Sequence, residues 1–297
     1  MGIAMNCLCV DCLLTKHMAI ARRLGTEERA MAFAKAIMKE ITDAPADANS
    51  AYMGWRINCL YCEFYGLPFD QLYQEKVDSN RFVMERLGNI RVKVENAPDP
   101  LFAALQFAVL GNYIDFSALY GQVSFDSLDA MLDTAQDIKL DMAAYTDLLA
   151  DCEKGRKLLY VTDNAGEIVF DRVLAEQLQK RFPHLEITFC VRGGAAHNDA
   201  LREDAQAAGI TFPVIDNGCA VGGMPLDLIG QEAKAAMEEA DVIITKGMGN
   251  VETLYGCGYN IYYAFLVKCP RFIQVFQKEK MTPMLMKELK QRGVESQ

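Results

Sequence analysis

The sequence predicts an α/β protein, with a helical N-terminal portion packed on a Rossmann-like, mostly parallel α/β domain. Three observations predict it. Apolar residues recur at helical spacing in the first half, but in the second they fall into short β-branched runs separated by helical segments. The period changes near residue 152, where the polar stretch 151–156 includes Gly155, so 1–152 and 153–297 are expected as the two domains. Glycine together with Asp, Asn or Lys follows four of the expected strands, and in an open parallel sheet those strand ends share one edge.

The elements follow in chain order. Residues 26–43 carry Ala30, Phe33, Ala34, Ile37, Met38 and Ile41 at helical spacing behind a Thr26 cap. Further helical stretches are expected at about 71–87, 101–110 and 128–149. The breaks between them fall at Asn96-Ala97-Pro98-Asp99-Pro100 and over 121–126. No strand is expected before residue 156. Beyond it, strands are expected at 157–162, 186–191, 211–215, 241–245 and 272–276, with helices at 168–181, 199–208 and 226–239. Strand, helix, strand in series means a mostly parallel sheet covered on both faces.

Composition narrows the function. A chain of 297 residues can bury a sizeable core, and none of its apolar runs approaches the ~20 residues that span a bilayer. The first six residues lack the basic flank of a signal peptide, so a cytoplasmic protein without a membrane partner is expected. A net charge of −10 argues against nucleic acid as partner. An acidic protein can still bind a small phosphorylated metabolite where a cation or a helix N-terminus supplies a local positive field. The ten cysteines are spread through ordinary core composition and are expected as reduced thiols, and three histidines are too few for an imidazole-built metal site.

Polar residues collect after the strands. Asp163-Asn164-Ala165-Gly166-Glu167 follows the first, and Arg192-Gly193-Gly194 with His197-Asn198-Asp199 follows the second. Asp216-Asn217-Gly218 and Gly222-Gly223 follow the third, and Lys246-Gly247-Met248-Gly249-Asn250 with Glu252 follows the fourth. Taken singly, each is an ordinary loop: Asn164 serves as a helix N-cap and Lys246 as a solvated lysine at a strand end. Taken together they favour a site. Asp163, Asn164 and Asp199 offer hard oxygens suited to a divalent ion. The helix start at Gly166–Glu167 offers N–H groups to an anion, and Lys246 a point charge beside glycines that admit close approach. Those features describe a site for phosphate esters.

Two cysteine pairs, Cys9-x-x-Cys12 and Cys59-x-x-Cys62, have the spacing of a shared zinc or iron–sulfur site, or of a redox pair. Against this stand the long gap between the pairs and the helical pattern around both, in which thiols serve as small apolar residues.

At these strand-end motifs the sequence resembles the metal-dependent damage-control phosphatases, first catalogued as domain-of-unknown-function family 89 and including the acidic-residue methyltransferase-like proteins. The matching stretches are Asp163-Asn164-Ala165-Gly166-Glu167-Ile168-Val169-Phe170-Asp171, Val191-Arg192-Gly193-Gly194 with Asn198-Asp199, and Lys246-Gly247-Met248-Gly249-Asn250 with Glu252. In the first half Gly111-Asn112-Tyr113-Ile114-Asp115-Phe116 matches, and Cys9-Val10-Asp11-Cys12 is similar to the mostly prokaryotic branch. The resemblance implies that Asp163, Asn164 and Asp199 hold a divalent ion (Mg²⁺, Mn²⁺, Co²⁺ or Ni²⁺) and that Lys246 binds the substrate phosphate. It implies that Asn112 and Asp115 face the cleft from the helical half, with Gly166, Glu167, Arg192, Gly193, Gly194, Gly247, Gly249, Asn250 and Glu252 around the substrate. The implied reaction is hydrolysis of phosphomonoesters, either sugar phosphates or damaged phosphometabolites such as phosphopantetheine derivatives. Attack by a water that the metal helps to orient, and attack by Asp163 itself, both stay open.

Ala195, Cys219 and Gly222 depart from the family pattern in loops that would shape the pocket, which bears on substrate identity. The rival functions are an S-adenosylmethionine-dependent methyltransferase on the same type of sheet and a cysteine-based metal or redox module. A methyl donor has no need of the set Asp163, Asn164, Asp199 and Lys246.

Overall fold

The computed structural model describes residues 2–113 and 125–288, so Asp115 lies outside the described residues. The N-terminal helices are α1 (Cys7–Leu24), α2 (Glu27–Asp43) and α3 (Ser50–Tyr65). Each begins where a polar side chain accepts from the first free N–H groups: Asn6 for α1, Thr26 for α2 and Asn49 for α3. Their apolar stripes meet around Phe33, Ile37, Met53 and Ile57, all fully buried.

Next come α4 (Tyr73–Glu95) and α5 (Pro100–Gly111), the latter capped by Asp99 with Pro100 at its first position. The stretch expected as one helix over 128–149 is two, α6 (Phe125–Asp133) and α7 (Met142–Lys154), parted by a 3-10 turn at Ala135–Asp137. The break has a local cause: the Asp141 carboxylate accepts from the N–H groups of Ala143 and Ala144 and starts a new helix.

The sheet follows with β1 (Lys157–Val161), β2 (Glu186–Val191), β3 (Val214–Asp216), β4 (Val242–Lys246), β5 (Ile261–Leu266) and β6 (Pro283–Lys287). Its order is β3-β2-β1-β4-β5-β6, parallel throughout except for β6, which runs antiparallel to β5. The helices after the first five strands are α8 (Glu167–Arg181), α9 (Arg202–Ala207), α10 (Gln231–Glu239), α11 (Gly247–Leu254) and α12 (Pro270–Phe276). Alternate residues enter different cores. Leu158, Tyr160, Phe189 and Ile244 join α4, α5, α7 and α8, whereas Leu159, Val161, Ile243 and Tyr263 lie under α10 to α12. The first core takes residues from both sides of position 152, so the two expected domains are packed into one another.

One strand needs correction. Residues 272–276, expected as a strand, form helix α12, because Pro270 presets its first turn after the extended Cys269. The fifth strand is instead Ile261–Leu266, buried along its whole length and therefore lacking polar alternation. Among the described residues no helix is long and apolar enough to cross a membrane.

This topology places the site. The chain runs outward from β1 to β3 and returns to β4 on the other side of β1, so the carboxyl ends of β1 and β4 open a crevice between them.

Candidate active site

Asp163 and Asn164 leave the end of β1, and Asp199 lies in the loop after β2. The backbone joins the two loops: Ala200 N–H donates to Asp163 O at 2.7 Å and Ala165 N–H to Asn198 O at 2.9 Å, an antiparallel bridge pairing Asn164 with Asp199. All three polar side chains open on a cleft of about 290 Å³, walled on the far side by α1 and α3. The Asp163 and Asp199 side chains keep only 12% and 11% of their exposure.

The charges around them do not balance. Four carboxylates, Asp163, Asp199, Glu167 and Asp171, are paired with two buried cations, Arg192 and Lys246. Arg192 Nε donates to Asp199 Oδ2 at 2.6 Å, while its Nη2 stands 3.9 Å from Asp163 Oδ1. Burial, then Asp199 and Glu167, hold the Asp163 carboxyl well above its ordinary range despite Arg192 and Lys268 nearby. A carboxylate in that position is stabilised by a further cation.

The donor set fits a divalent ion. Asn164 Nδ2 donates to Asp163 Oδ2 at 2.7 Å and to Glu167 Oε2 at 2.8 Å, which turns its carbonyl oxygen away from the carboxylates. Among the described residues no three Asp, Glu, His or Cys side chains gather as a metal-binding group. A ligand set drawn from Asp163, Asn164 and Asp199 would be two carboxylates and an amide, as suits a hard ion.

Beneath the cleft lies a buried layer of charged and polar side chains. Lys246, expected at the phosphate, has no exposed side-chain surface. Its ammonium donates to Glu167 Oε1 at 2.7 Å, Asp171 Oδ1 at 2.8 Å and Ala108 O at 2.7 Å, which uses all three of its donors. Burial alone would lower its pKa, but Asp171 and Glu167 outweigh burial and hold it raised. Asn112, at the end of α5, donates to Asp163 Oδ2 and Glu167 Oε2, both at 3.0 Å, so the helical half reaches the site from below. Asn250 donates to Thr162 O and Lys246 O and accepts from Arg192, bracing the floor without lining the cleft.

The glycines divide in the same way. Gly247 has φ +74°, and a Cβ there would overlap the Asp163 carboxylate, so the backbone after Lys246 approaches this ligand as only glycine can. Gly166 is pressed against Ser79 of α4 and donates its N–H to Asn80 Oδ1 at 2.7 Å, so the start of α8 is not open to an anion as expected. Gly193 and Gly194 pack against Gly218 and Ala220 rather than on the cleft surface. Gly249 and Glu252 do line it. Glu252 accepts from Ala51 N–H and the Ser50 hydroxyl at the start of α3, and burial pushes its pKa up to about 7.

All ten thiols are free; Cys9 is buried, Cys12 exposed, and Cys59 and Cys62 half-buried. Cys9 and Cys12 lie on α1 and Cys59 and Cys62 on α3, and among the described residues no three Cys, His, Asp or Glu side chains gather as a metal-binding group. The cleft wall also holds residues absent from the sequence reading, Trp55, Lys268 and Arg271 among them. Lys268 follows β5, the strand that apolar alternation did not reveal.

The fold and the site define a class: an α/β protein with a polar cleft holding two aspartates and an asparagine at the switch point of its sheet. The chain belongs to the damage-control phosphatase ARMT1-like domain family, which matches residues 5–282. It is 34% identical over 170 residues to a damage-control phosphatase of Pyrococcus horikoshii, a match covering 56% of this chain and 58% of that protein. An uncharacterized protein of Methanocaldococcus jannaschii is 32% identical over 276 residues, 88% of each chain, and a damage-control phosphatase of Archaeoglobus fulgidus is 29% identical over 257 residues, covering 83% of this chain and 86% of that one. The crystal structure of a DUF89 family protein from Pyrococcus horikoshii superposes with a TM-score of 0.83 at 25% identity, covering 97% of this chain and all of that one. Membership in this family supports phosphatase activity.

Proposed function

We propose that this chain is a metal-dependent phosphatase of small phosphomonoesters, sugar phosphates or damaged phosphometabolites such as phosphopantetheine derivatives. One observation carries the reading: the backbone bridge between Asn164 and Asp199 brings two aspartates and an amide oxygen to one cleft whose negative charge exceeds that of its buried cations. Asp163, Asn164 and Asp199 would hold Mg²⁺, Mn²⁺, Co²⁺ or Ni²⁺. When bound, the ion supplies Lewis-acid polarisation of the phosphoryl oxygens. The chain's own residues supply orientation. Lys246 fixes Glu167, and Glu167 with Asp163 fixes the Asn112 and Asn164 amides. Arg192 holds Asp199 from below.

The test is a screen of phosphomonoesters on chelator-treated protein, with each of the four ions restored in turn. Activity is expected to vanish on chelation and to return with at least one ion. Full activity in metal-free protein would sink the mechanism.

A further inference from the structure

We infer that the leaving group of the substrate is a flat apolar ring seated against Trp55, an inference that rests on the phosphatase reading and narrows its substrate class. Asp163, Asn164 and Asp199 open on one side of the cleft and α1 and α3 wall the other, so what the ester carries beyond its phosphoryl group meets those two helices. That wall offers little to a polyol. Among its hydrogen-bonding side chains, His17 is buried and bonded through Nδ1 to the Tyr61 hydroxyl at 3.0 Å. Asn58 donates to Phe69 O at 2.9 Å and accepts from Gln71 at 2.7 Å. The Ser50 hydroxyl donates to Glu252, and the Cys9 thiol to Asn6 Oδ1 at 3.6 Å. Beside the Trp55 indole, Lys16 and Cys12 complete the set, one ammonium and one weak thiol donor. Each hydroxyl of a sugar taken from water without a partner weakens binding.

What the wall presents instead is apolar. Leu8, Leu13 and Trp55 come from α1 and α3, and Met248 and Pro270 from the starts of α11 and α12. The loops after β2 and β3 add Ala195, Ala196 and Ala220, side chains without a donor or acceptor. His197 is turned onto Gly54 of α3, its Nε2 3.1 Å from where a Cβ would stand. Gly222 and Ala51 keep open the passage from the candidate metal ligands to this wall: a Cβ at 222 would lie 3.8 Å from Ala51 Cβ and 4.0 Å from Asp199 Oδ2. Trp55 is the one tryptophan of the chain, and it is fixed from behind. Arg56 lies over the indole at 5.4 Å from its centroid and is itself anchored by Glu40 at 2.8 and 2.9 Å, while the Tyr52 ring flanks it at 5.9 Å. Neither Arg56 nor Tyr52 lines the cleft, so the indole is braced from outside and turns its remaining surface to the cavity. An aromatic ring that stacks on such an indole gains more than its buried area alone supplies.

The experiment uses the full chain in excess Mn²⁺ and two phosphonates that cannot be hydrolysed, benzylphosphonate with a ring and methylphosphonate without one. Calorimetry gives both affinities, and the fluorescence of the single tryptophan reports whether the ring reaches it. Benzylphosphonate is expected to bind about tenfold tighter or more, and to change the Trp55 emission with the same affinity. Trp55→Ala is expected to lose most of that preference at unchanged metal content and methylphosphonate affinity, and Trp55→Phe to keep part of it. In kcat/KM the wild type is expected to favour benzyl phosphate over a hexose 6-phosphate, both esters of primary alcohols, and Trp55→Ala to narrow the ratio through KM. Equal affinities for the two phosphonates overturn the inference, as does a ring preference that survives Trp55→Ala intact or a higher kcat/KM on the hexose ester. If Trp55→Ala does not fold, Trp55→Phe and the wild-type emission decide, and an emission that benzylphosphonate leaves unchanged overturns the inference. Ring-dependent binding in a protein that hydrolyses no phosphomonoester keeps the ring site and removes the phosphatase reading alone.

Discussion

Two lysines stand at the carboxyl ends of neighbouring strands, Lys246 closing β4 and Lys268 just beyond β5, and their surroundings differ. Around Lys246 every donor has a buried acceptor, drawn from Ala108, Glu167 and Asp171. Lys268 is half-buried on the cleft wall, where its charge acts on Asp163. A hydrogen-bonded buried network specifies geometry, whereas polar side chains at a crevice are open to a ligand. The difference separates residues that build the site from residues that use it.

The largest expected effect comes from removing a ligand at the open layer. Asp163→Ala should lower kcat/KM by ~10³-fold or more, and by more than Asn164→Ala, because it removes charge that balances the cation. Its metal-free Tm should hold or rise, since a buried carboxyl with a raised pKa destabilises the ionised fold. A large fall in metal-free Tm would place Asp163 with the architecture instead.

Lys246→Met should do the reverse. It leaves Glu167 and Asp171 buried without their cation, and breaking such a pair costs ~3–5 kcal/mol. Lys268→Met, at a half-buried position on the cleft wall, should cost less stability. Urea unfolding of both variants checks the contrast, and equal losses would erase it.

This contrast marks where the sequence is legible and where it is not. Asp163-Asn164 and Asp199 were identifiable because strand period and strand-end position are local signals, and Thr26 was identifiable as a cap for the same reason. The burial of Lys246 was not, because its partners Ala108, Glu167 and Asp171 come from α5 and α8 and meet it only through tertiary packing. Lys268 was missed because Ile261–Leu266 is buried on both faces and shows no alternation, so the loop beyond it was not recognised as a strand end. The strand-like spacing of 272–276 then drew attention to the wrong segment, although Pro270 marks a helix start.

Glu252 joins the two halves and gives the comparison a pH dependence. Burial raises its pKa from 4.5 to about 7 while it accepts from the start of α3. A folded pKa above the unfolded one favours the protonated fold. The associated stability is full below about pH 4.5 and is lost as pH rises through about 7, by roughly 3 kcal/mol at most. Glu252→Gln keeps an acceptor for Ala51 N–H and should flatten that segment of the stability–pH curve. A curve unchanged by the substitution would show that Glu252 does not titrate there.

The smallest effect belongs to Gly88, set against Gly247. Gly247→Ala places a Cβ against the Asp163 carboxylate at φ +74°, so strain and ligand displacement act together and activity should fall with stability. Gly88 sits exposed on α4, where an added Cβ meets nothing within 4 Å. Ala is favoured over Gly in a helix interior by ~0.8–1.0 kcal/mol, so Gly88→Ala should raise stability by up to about that amount. It should leave kcat/KM and metal content alone, because nothing on that face of α4 reaches the cleft. Thermal unfolding and steady-state kinetics on the pair decide it. If Gly88→Ala lowered activity as Gly247→Ala does, α4 would have to transmit strain to the floor through Asn80 and Ser79, its contacts with the start of α8. The division between a building layer and a working layer would then fail at that helix.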